Sequence, residues 1–223
     1  MNAAKIIAGA LVLVIDRRVE LLKALCLPVA LYAAVDLFPQ TTLPTAAAAG
    51  IAGLFLQTRI AVTTHRLILL PPGTVPPWGL RGWIRSESLF LLQVMVTGLC
   101  VMPVALLALG GPAGAAIAFV AASVIVSRVA LVFPAAALDR HATVAWSWQA
   151  TLDHRGVALT IVAVFPVLGS VPLILLSLVP YASIPASLLA SVLMVVAITA
   201  LSLLYREIEQ RKQGEIDASP PDA

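Results

Sequence analysis

Apolar positions run through most of this chain in long stretches, separated by short polar or proline-containing segments. A membrane-spanning helix needs about 20 apolar residues to cross ~30 Å of hydrocarbon at ~1.5 Å per residue. Six stretches meet or approach that length, and they predict spans at residues 21–38, 44–66, 88–109, 113–137, 156–179 and 183–205. The pattern therefore predicts an all-α polytopic membrane bundle with six transmembrane helices.

Two of the predicted spans are irregular. The first has Lys23 at its start and Asp36 near its end, so it spans the membrane only if Lys23 extends toward the headgroups. The fifth contains Pro166, Gly169 and Pro172, which predict a kink.

The two ends of the chain differ from the spans. The apolar residues 6–15 are too few to cross a membrane, and charged residues follow them instead of a signal-peptide cleavage site. Residues 3–20 are therefore predicted to form a helix in the membrane interface. The polar residues 213–223 are expected to be a disordered tail, which leaves 1–212 as a single transmembrane domain.

Composition excludes a soluble domain, because 61% of the 223 residues are hydrophobic and only 11% are charged, against about 25% charged in soluble proteins. The net charge of +3 is assigned to the flanks of membrane helices and not to a nucleic-acid interface. Cys26 and Cys100 lie in apolar stretches and are interpreted as small packing residues.

The basic residues predict the orientation. The turns at 36–42, 110–114 and 179–183 contain no lysine or arginine, whereas all fourteen basic residues fall on or toward the opposite side. The positive-inside rule makes that side cytoplasmic, so both termini are predicted to be cytoplasmic. The abundance of arginine and alanine favours a bacterial source and hence the inner membrane.

The same side carries two long loops, residues 67–87 and 138–155, and these contain all four tryptophans. Because tryptophan prefers the headgroup level, the loops are expected to lie on the inner leaflet, with residues 142–152 as a short interfacial helix. The predicted interfacial anchors are Trp78, Trp83, Trp146 and Trp148.

Two arginines are predicted inside spans. Arg59 lies about seven residues, or ~10 Å, before Arg66, and Arg128 is predicted to lie deeper, about eleven residues before Asp139. The segments around them are similar, Thr58-Arg59-Ile60-Ala61-Val62 and Ser127-Arg128-Val129-Ala130-Leu131, which suggests a weak internal repeat of a two-helix unit.

An arginine at membrane depth costs about 2.5–3.5 kcal/mol on insertion scales, so Arg59 and Arg128 call for an explanation. One hypothesis is that they, with Arg66, bind an anion or a lipid headgroup. The alternative is that they extend to the inner headgroups or bond to carbonyls freed by Pro134.

Other chemistry has weaker support. No acid lies deep in any predicted span, since Asp36 and Glu87 are at helix ends, and no histidine or lysine is predicted at membrane depth to activate a serine. The histidines and nearby acids match no metal motif: His65, His141, His154, Asp139 and Asp153. No catalytic residue, metal or cofactor is expected.

One segment resembles a known group of proteins. The motif begins with an arginine in a helix (Arg128), followed by Pro134 and an acid (Asp139). It continues with Ala145-Trp146-x-x-x-x-Thr151, after which a helix begins again. This motif resembles one found in a loose group of bacterial six-helix proteins. These are the YciC-like proteins and the membrane domain of some glycerophosphodiester phosphodiesterases. The resemblance implies the architecture and little about activity.

These features favour a non-enzymatic inner-membrane protein, an accessory or lipid-interacting module whose partners are membrane lipids and either other membrane subunits or further copies of the chain. The alternative is a small transporter or permease with a site near Arg59 and Arg128, favoured by the weak repeat and the proline-containing fifth span.

Overall fold

The computed structural model describes residues 2–37, 41–77, 82–179 and 183–217, and all of their regular structure is helical. The expected all-α class is therefore confirmed for these residues. The helices are α1 (Ala3–Asp16), α2 (Arg18–Asp36), α3 (Leu43–Leu69), α4 (Arg85–Ala105), α5 (Gly111–Val129), α6 (Val132–Ala137), α7 (Val144–Ala150), α8 (Arg155–Leu159), α9 (Phe165–Ser177) and α10 (Ser183–Asp217).

Four stretches of the described chain are long and apolar enough to cross a membrane: Leu43–Leu69, Arg85–Val129, Arg155–Leu176 and Ile184–Gln213. The second contains a reversal. A 3₁₀ turn at Leu106–Gly110 leads into Gly111, whose φ of 84° and ψ of −164° turn the chain back. As a result α5 packs along α4, and Phe133, just beyond α5, contacts Phe90 near the start of α4.

The fourth predicted span, 113–137, is interrupted. Helix α5 ends at Val129, and α6 begins at Val132 after a short turn. Pro134 explains the break, because it has no N–H to donate to the carbonyl of Ala130. That carbonyl instead accepts a hydrogen bond from the N–H of Phe133 at 3.3 Å. The predicted span 113–137 therefore corresponds to two helices, α5 and α6, separated by this turn.

The fifth predicted span also departs from regular geometry where its prolines suggested a kink. A π-helical turn, Thr160–Val164, connects α8 to α9, and the N–H of Phe165 donates to the carbonyl of Thr160. Pro166 follows directly and supplies no N–H for the preceding turn, which favours a local change of helical pitch.

The C-terminal helix is longer than expected. Helix α10 continues to Asp217, so disorder from residue 213 is wrong for residues 213–217, whereas 218–223 lie outside the described residues. Side-chain contacts stabilise the extension. Arg140 donates to Tyr205 at 3.2 Å and to Glu209 at 3.0 Å, and these contacts raise the pKa of Arg140. Lys212 lies 5.1 Å from the centre of the Trp146 ring.

The N-terminal interfacial helix is shorter than predicted and is partly built into the bundle. Helix α1 ends at Asp16, and α2 follows directly after Arg17. One face of α1 buries Ile6 and Ala10 in the same core cluster as α10 residues. The neighbouring face exposes large apolar side chains at helical spacing, namely Leu11, Val12 and Ile15. Helix α1 thus presents one face to protein and one to an apolar environment.

The buried core lies at one end of the bundle, the end that carries Arg17, Arg66 and Arg140 (the basic end). Arg17 bonds to the carbonyl of Leu67 at the end of α3, and the three core clusters gather the last turns of α3, the start of α4, α6 and the middle of α10. Away from this end, large apolar side chains are exposed. Only 6% of the most apolar window of Arg155–Leu176 is buried, so these surfaces suit lipid and not water.

Candidate functional site

The two similar segments around Arg59 and Arg128 have the same pattern of burial. Thr58 and Ser127 are buried, the arginine that follows each is partly exposed, and the next three residues of each segment are buried. Both segments lie at the basic end, one in α3 and one at the junction of α5 and α6. The matching environments agree with an internal repeat, but the two arginines have different neighbours.

Arg59 is paired with a buried acid. Its Nε lies 3.9 Å from Oε1 of Glu87, whose side chain is completely buried in the first turn of α4. The other oxygen, Oε2, accepts the backbone N–H of Ile84 at 2.8 Å, and the α4 N-terminus favours a negative charge there. Glu87 lies near a helix end, as expected, but it neutralises Arg59 from there. Arg59 is therefore a poor receptor for an outside anion.

Arg66 joins three segments of the basic end. Its Nη1 donates to the carbonyl of Ala137 at 3.1 Å, to Oδ2 of Asp139 at 3.1 Å and to Oγ of Ser86 at 3.4 Å. It thereby caps the last carbonyl of α6 and holds α3 against the start of α4. Asp139 adopts a positive φ of 58° at this junction. Arg66 is engaged within the protein and has a structural role.

Arg128 lies in the last turn of α5, which ends one residue later. Its guanidinium carbon stands 5.5 Å from the centre of the Trp148 ring. The Nη1 atom is buried and has no hydrogen-bond partner within the described part of the chain. Buried Nε atoms of Arg59 and Arg66 also lack a hydrogen-bond partner there, but Arg59 has an ion pair with Glu87 and Arg66 has three hydrogen bonds through Nη1. The Arg128 side chain forms neither kind of contact with the described residues, so its guanidinium has the most capacity for an external acceptor.

Two hydroxyl groups that the sequence did not single out as functional fix this site. Oγ of Ser147 donates to the carbonyl of Arg128 at 2.8 Å and accepts the N–H of Leu131 at 3.2 Å, and Thr151 also reaches the Arg128 carbonyl, at 3.3 Å. They satisfy backbone groups freed where α5 ends. Helix α7 is thus docked beneath Arg128, which places Trp148 against the guanidinium.

The predicted tryptophan anchors occupy different environments. Trp78 lies outside the described residues. Trp83 is 42% exposed, meets Phe55 edge-on at 5.0 Å and donates its ring N–H to Ser88. Trp146 is half-buried against Tyr205 of α10, whereas Trp148 is 41% exposed. Exposure suits Trp83 and Trp148 to a headgroup region, and Trp146 is a packing residue.

The histidines do not come together in a metal site in the part of the chain that the structure describes, where no group of three metal-ligating side chains occurs. His65 is buried and shares a 2.8 Å hydrogen bond with Ser202. His141 contacts Arg85 at 3.3 Å. The His65–Ser202 contact joins α3 to α10 across 137 positions, so no local pattern in the sequence indicates it.

The arrangement at Arg128 can bind an anion: it offers a partly exposed guanidinium, an aromatic face beside it and a docked helix that holds both. Comparison of the chain with protein-family models, with curated proteins and with solved structures gives no match.

Proposed function

We propose that this chain is a multi-pass protein of the bacterial cytoplasmic membrane that crosses the bilayer six times. Four apolar stretches support multiple crossings. The reversal at Gly111 divides Arg85–Val129 into two helices that pack side by side, which adds a fifth crossing. Helix α2 is the sixth: it packs along α3, and Gln57 of α3 donates to the hydroxyl of Tyr32 at 2.7 Å.

Both termini face the cytoplasm in this proposal, because the basic end carries the positive charge. The test replaces Cys26 and Cys100 with serine and then introduces one cysteine at a time. In intact spheroplasts, a membrane-impermeant maleimide should label Ala113→Cys in the first turn of α5. Thr74→Cys, in the loop after α3, should react only after lysis. The reverse pattern would overturn the orientation.

The proposed activity is non-enzymatic binding of anionic lipid at the inner leaflet, centred on Arg128. The observation that carries it is the guanidinium of Arg128, which is partly exposed, forms no hydrogen bond or ion pair with the described residues and lies beside the ring of Trp148. A phosphate diester supplies acceptor oxygens that match the guanidinium fork, and the interaction is strongest away from water.

The surroundings of Arg128 favour a lipid over a soluble anion. Val124, one turn earlier in α5, is 42% exposed, and Leu152, just after α7, is 50% exposed. Residues four apart lie on the same face of a helix, so Val124 lies on the same face of α5 as Arg128, one turn farther from the basic end. This surface would contact acyl chains at Val124, a phosphate at Arg128 and the headgroup region at Trp148.

The experiment measures lipid retained by the purified protein. Native mass spectrometry from neutral-detergent micelles containing equal amounts of phosphatidylglycerol and phosphatidylcholine gives the ratio of the two lipids bound. Arg128→Gln should lower the preference for phosphatidylglycerol by about tenfold, the loss of one charge-assisted contact. Trp148→Leu should lower it less. The matched control is Arg155→Gln, which removes an exposed arginine near the same loop. An unchanged ratio for Arg128→Gln would refute the proposal.

Two alternatives have less support. A transport site between Arg59 and Arg128 would need open space, but Ala61, Val62 and Phe90 form a packed cluster with α6 between α3 and the end of α5. A serine nucleophile at Ser202 would need access to substrate, and both Ser202 and its partner His65 are buried.

We also propose kinship with the YciC-like group. The support is confined to the motif, in which Thr151 bonds to the Arg128 carbonyl and Trp146 packs on α10.

A further inference from the structure

A separate cavity opens at the basic end, between the first turns of α1 and the part of α10 that follows its apolar stretch. Its volume is about 830 Å³, and its lining includes Lys5 and Ile6 from α1 and Leu203, Arg206 and Gln210 from α10. This volume falls within the range of about 300–1,000 Å³ typical of small-ligand sites. Arg128 is not part of its lining.

The electrostatics of the cavity point to an anion. Lys5 and Arg206 belong to different helices but line the same space, and among the described residues neither forms a hydrogen bond or ion pair. The only acid in the lining is Glu207, and it is engaged by Arg211 at 3.1 Å. Two cations facing one cavity repel each other, and an anion between them converts that repulsion into attraction.

The remaining lining adds shape and hydrogen-bond donors. Ile6 is buried and Leu203 packs against the same core cluster, so both belong to the apolar contact between α1 and α10 that borders the cavity. Gln210 contributes an amide, and the N-terminal end of the 14-residue helix α1 faces the same region with its partial positive charge. Two cations beside apolar side chains suit a phosphate carried by an organic group.

We propose that the cleft between α1 and α10 binds a phosphate-bearing anion through Lys5 and Arg206. The phosphate belongs either to a soluble compound or to a lipid headgroup, since both offer the same oxygens. This site is independent of lipid binding at Arg128. It makes the packing of α1 on α10 responsive to the ligand, because the two cations come from opposite sides of that contact.

The test uses the full chain in neutral detergent and measures binding by native mass spectrometry in two arms. One arm is titrated with sodium pyrophosphate and the other with dioleoyl phosphatidate. The variant is Lys5→Gln/Arg206→Gln. Its matched control, Arg18→Gln/Lys23→Gln, removes the same charge from exposed positions of α2. The exchange Lys5→Arg/Arg206→Lys keeps both charges.

We run the phosphatidate arm in an Arg128→Gln background, which removes the other proposed lipid site. We expect saturable binding that the Lys5→Gln/Arg206→Gln change weakens at least about tenfold, while the α2 control and the charge-keeping exchange retain it. Binding in the pyrophosphate arm identifies a soluble ligand, and binding in the phosphatidate arm alone identifies a lipid. Absence of saturable binding in both arms overturns the proposal. Equal weakening by the α2 control overturns it too, because the effect would then come from net charge.

Discussion

The reversal between α4 and α5 provides a sharp test of the fold, because three glycines at or near it differ in backbone conformation and in the space around them. Gly111 has φ 84° and ψ −164°, a region that side chains avoid. Gly110 has φ −78° and nothing within 4 Å of the position that a Cβ would take. At Gly114 a Cβ would collide with the backbone carbonyl oxygen of Leu107. The perturbation is an alanine at each glycine in turn.

The magnitude follows from the backbone angles. Replacing glycine with alanine restricts the unfolded chain by the same amount at each site, a stabilisation of about 0.4–1 kcal/mol. That contribution cancels when Gly111→Ala is compared with Gly110→Ala. What remains is the strain at Gly111, on the order of 1–3 kcal/mol. For a chain of this size, 1 kcal/mol corresponds to a change of about 2–4 °C in Tm, so the two variants should differ by about 2–12 °C.

The assay is thermal unfolding of the purified variants in one neutral detergent, followed by circular dichroism. Gly110→Ala should melt at or slightly above the parent temperature. Gly111→Ala should melt below it. Gly114→Ala should also melt lower, because the colliding atom belongs to the backbone and moves only with the 3₁₀ turn. If all three variants melt within about 1 °C of one another, the tight reversal that separates α4 from α5 is refuted.

Three further predictions concern the basic end. Glu87→Ala should lower the free energy of unfolding by about 3–5 kcal/mol, because it leaves Arg59 without its buried counter-charge; Glu87→Gln should cost less, and equal melting of the two variants would contradict this. Ser147→Ala should cost about 1–3 kcal/mol in thermal unfolding by removing the hydroxyl that bridges α5 and α6, whereas Ser170→Ala, at a partly exposed serine bonded only within its own helix, should cost much less. Tyr205→Phe should cost about 0.5–1.5 kcal/mol, since it deletes one hydrogen bond and keeps the ring, and a loss as large as that of Tyr205→Ala would count against that role.

Much of the fold is readable from the sequence, because a membrane helix is specified by a local run of apolar residues. The helices α3, α4 and α10 begin close to their predicted starts for that reason. The break between α5 and α6 is not evident from the apolar pattern, which continues through Pro134. Pro134 lies in the first turn of α6, where proline is tolerated, and it does not interrupt the run of apolar residues around it.

The candidate site was predictable only in part. The sequence identifies Arg59 and Arg128 as unusual, but it does not show which of them is neutralised. That depends on Glu87, which reaches Arg59 across the loop that follows α3. The docking of α7 depends on the hydroxyl of Ser147, whose partners lie sixteen and nineteen positions away. Such contacts follow from tertiary packing and have no local periodicity.

The concentration of the core at the basic end has a consequence for how the chain tolerates mutation. Helical segments that contact lipid more than one another need only remain apolar, because leucine, valine and phenylalanine are nearly equivalent toward acyl chains. At the basic end, each buried side chain fits its neighbours and substitution changes the packing. A deep mutational scan should therefore divide each long helix into a permissive segment and a strict one, with the boundary near Thr58 in α3 and near Val195 in α10. Relatives of this protein would then be recognised by the strict segments, while the remainder of each span exchanges one apolar residue for another.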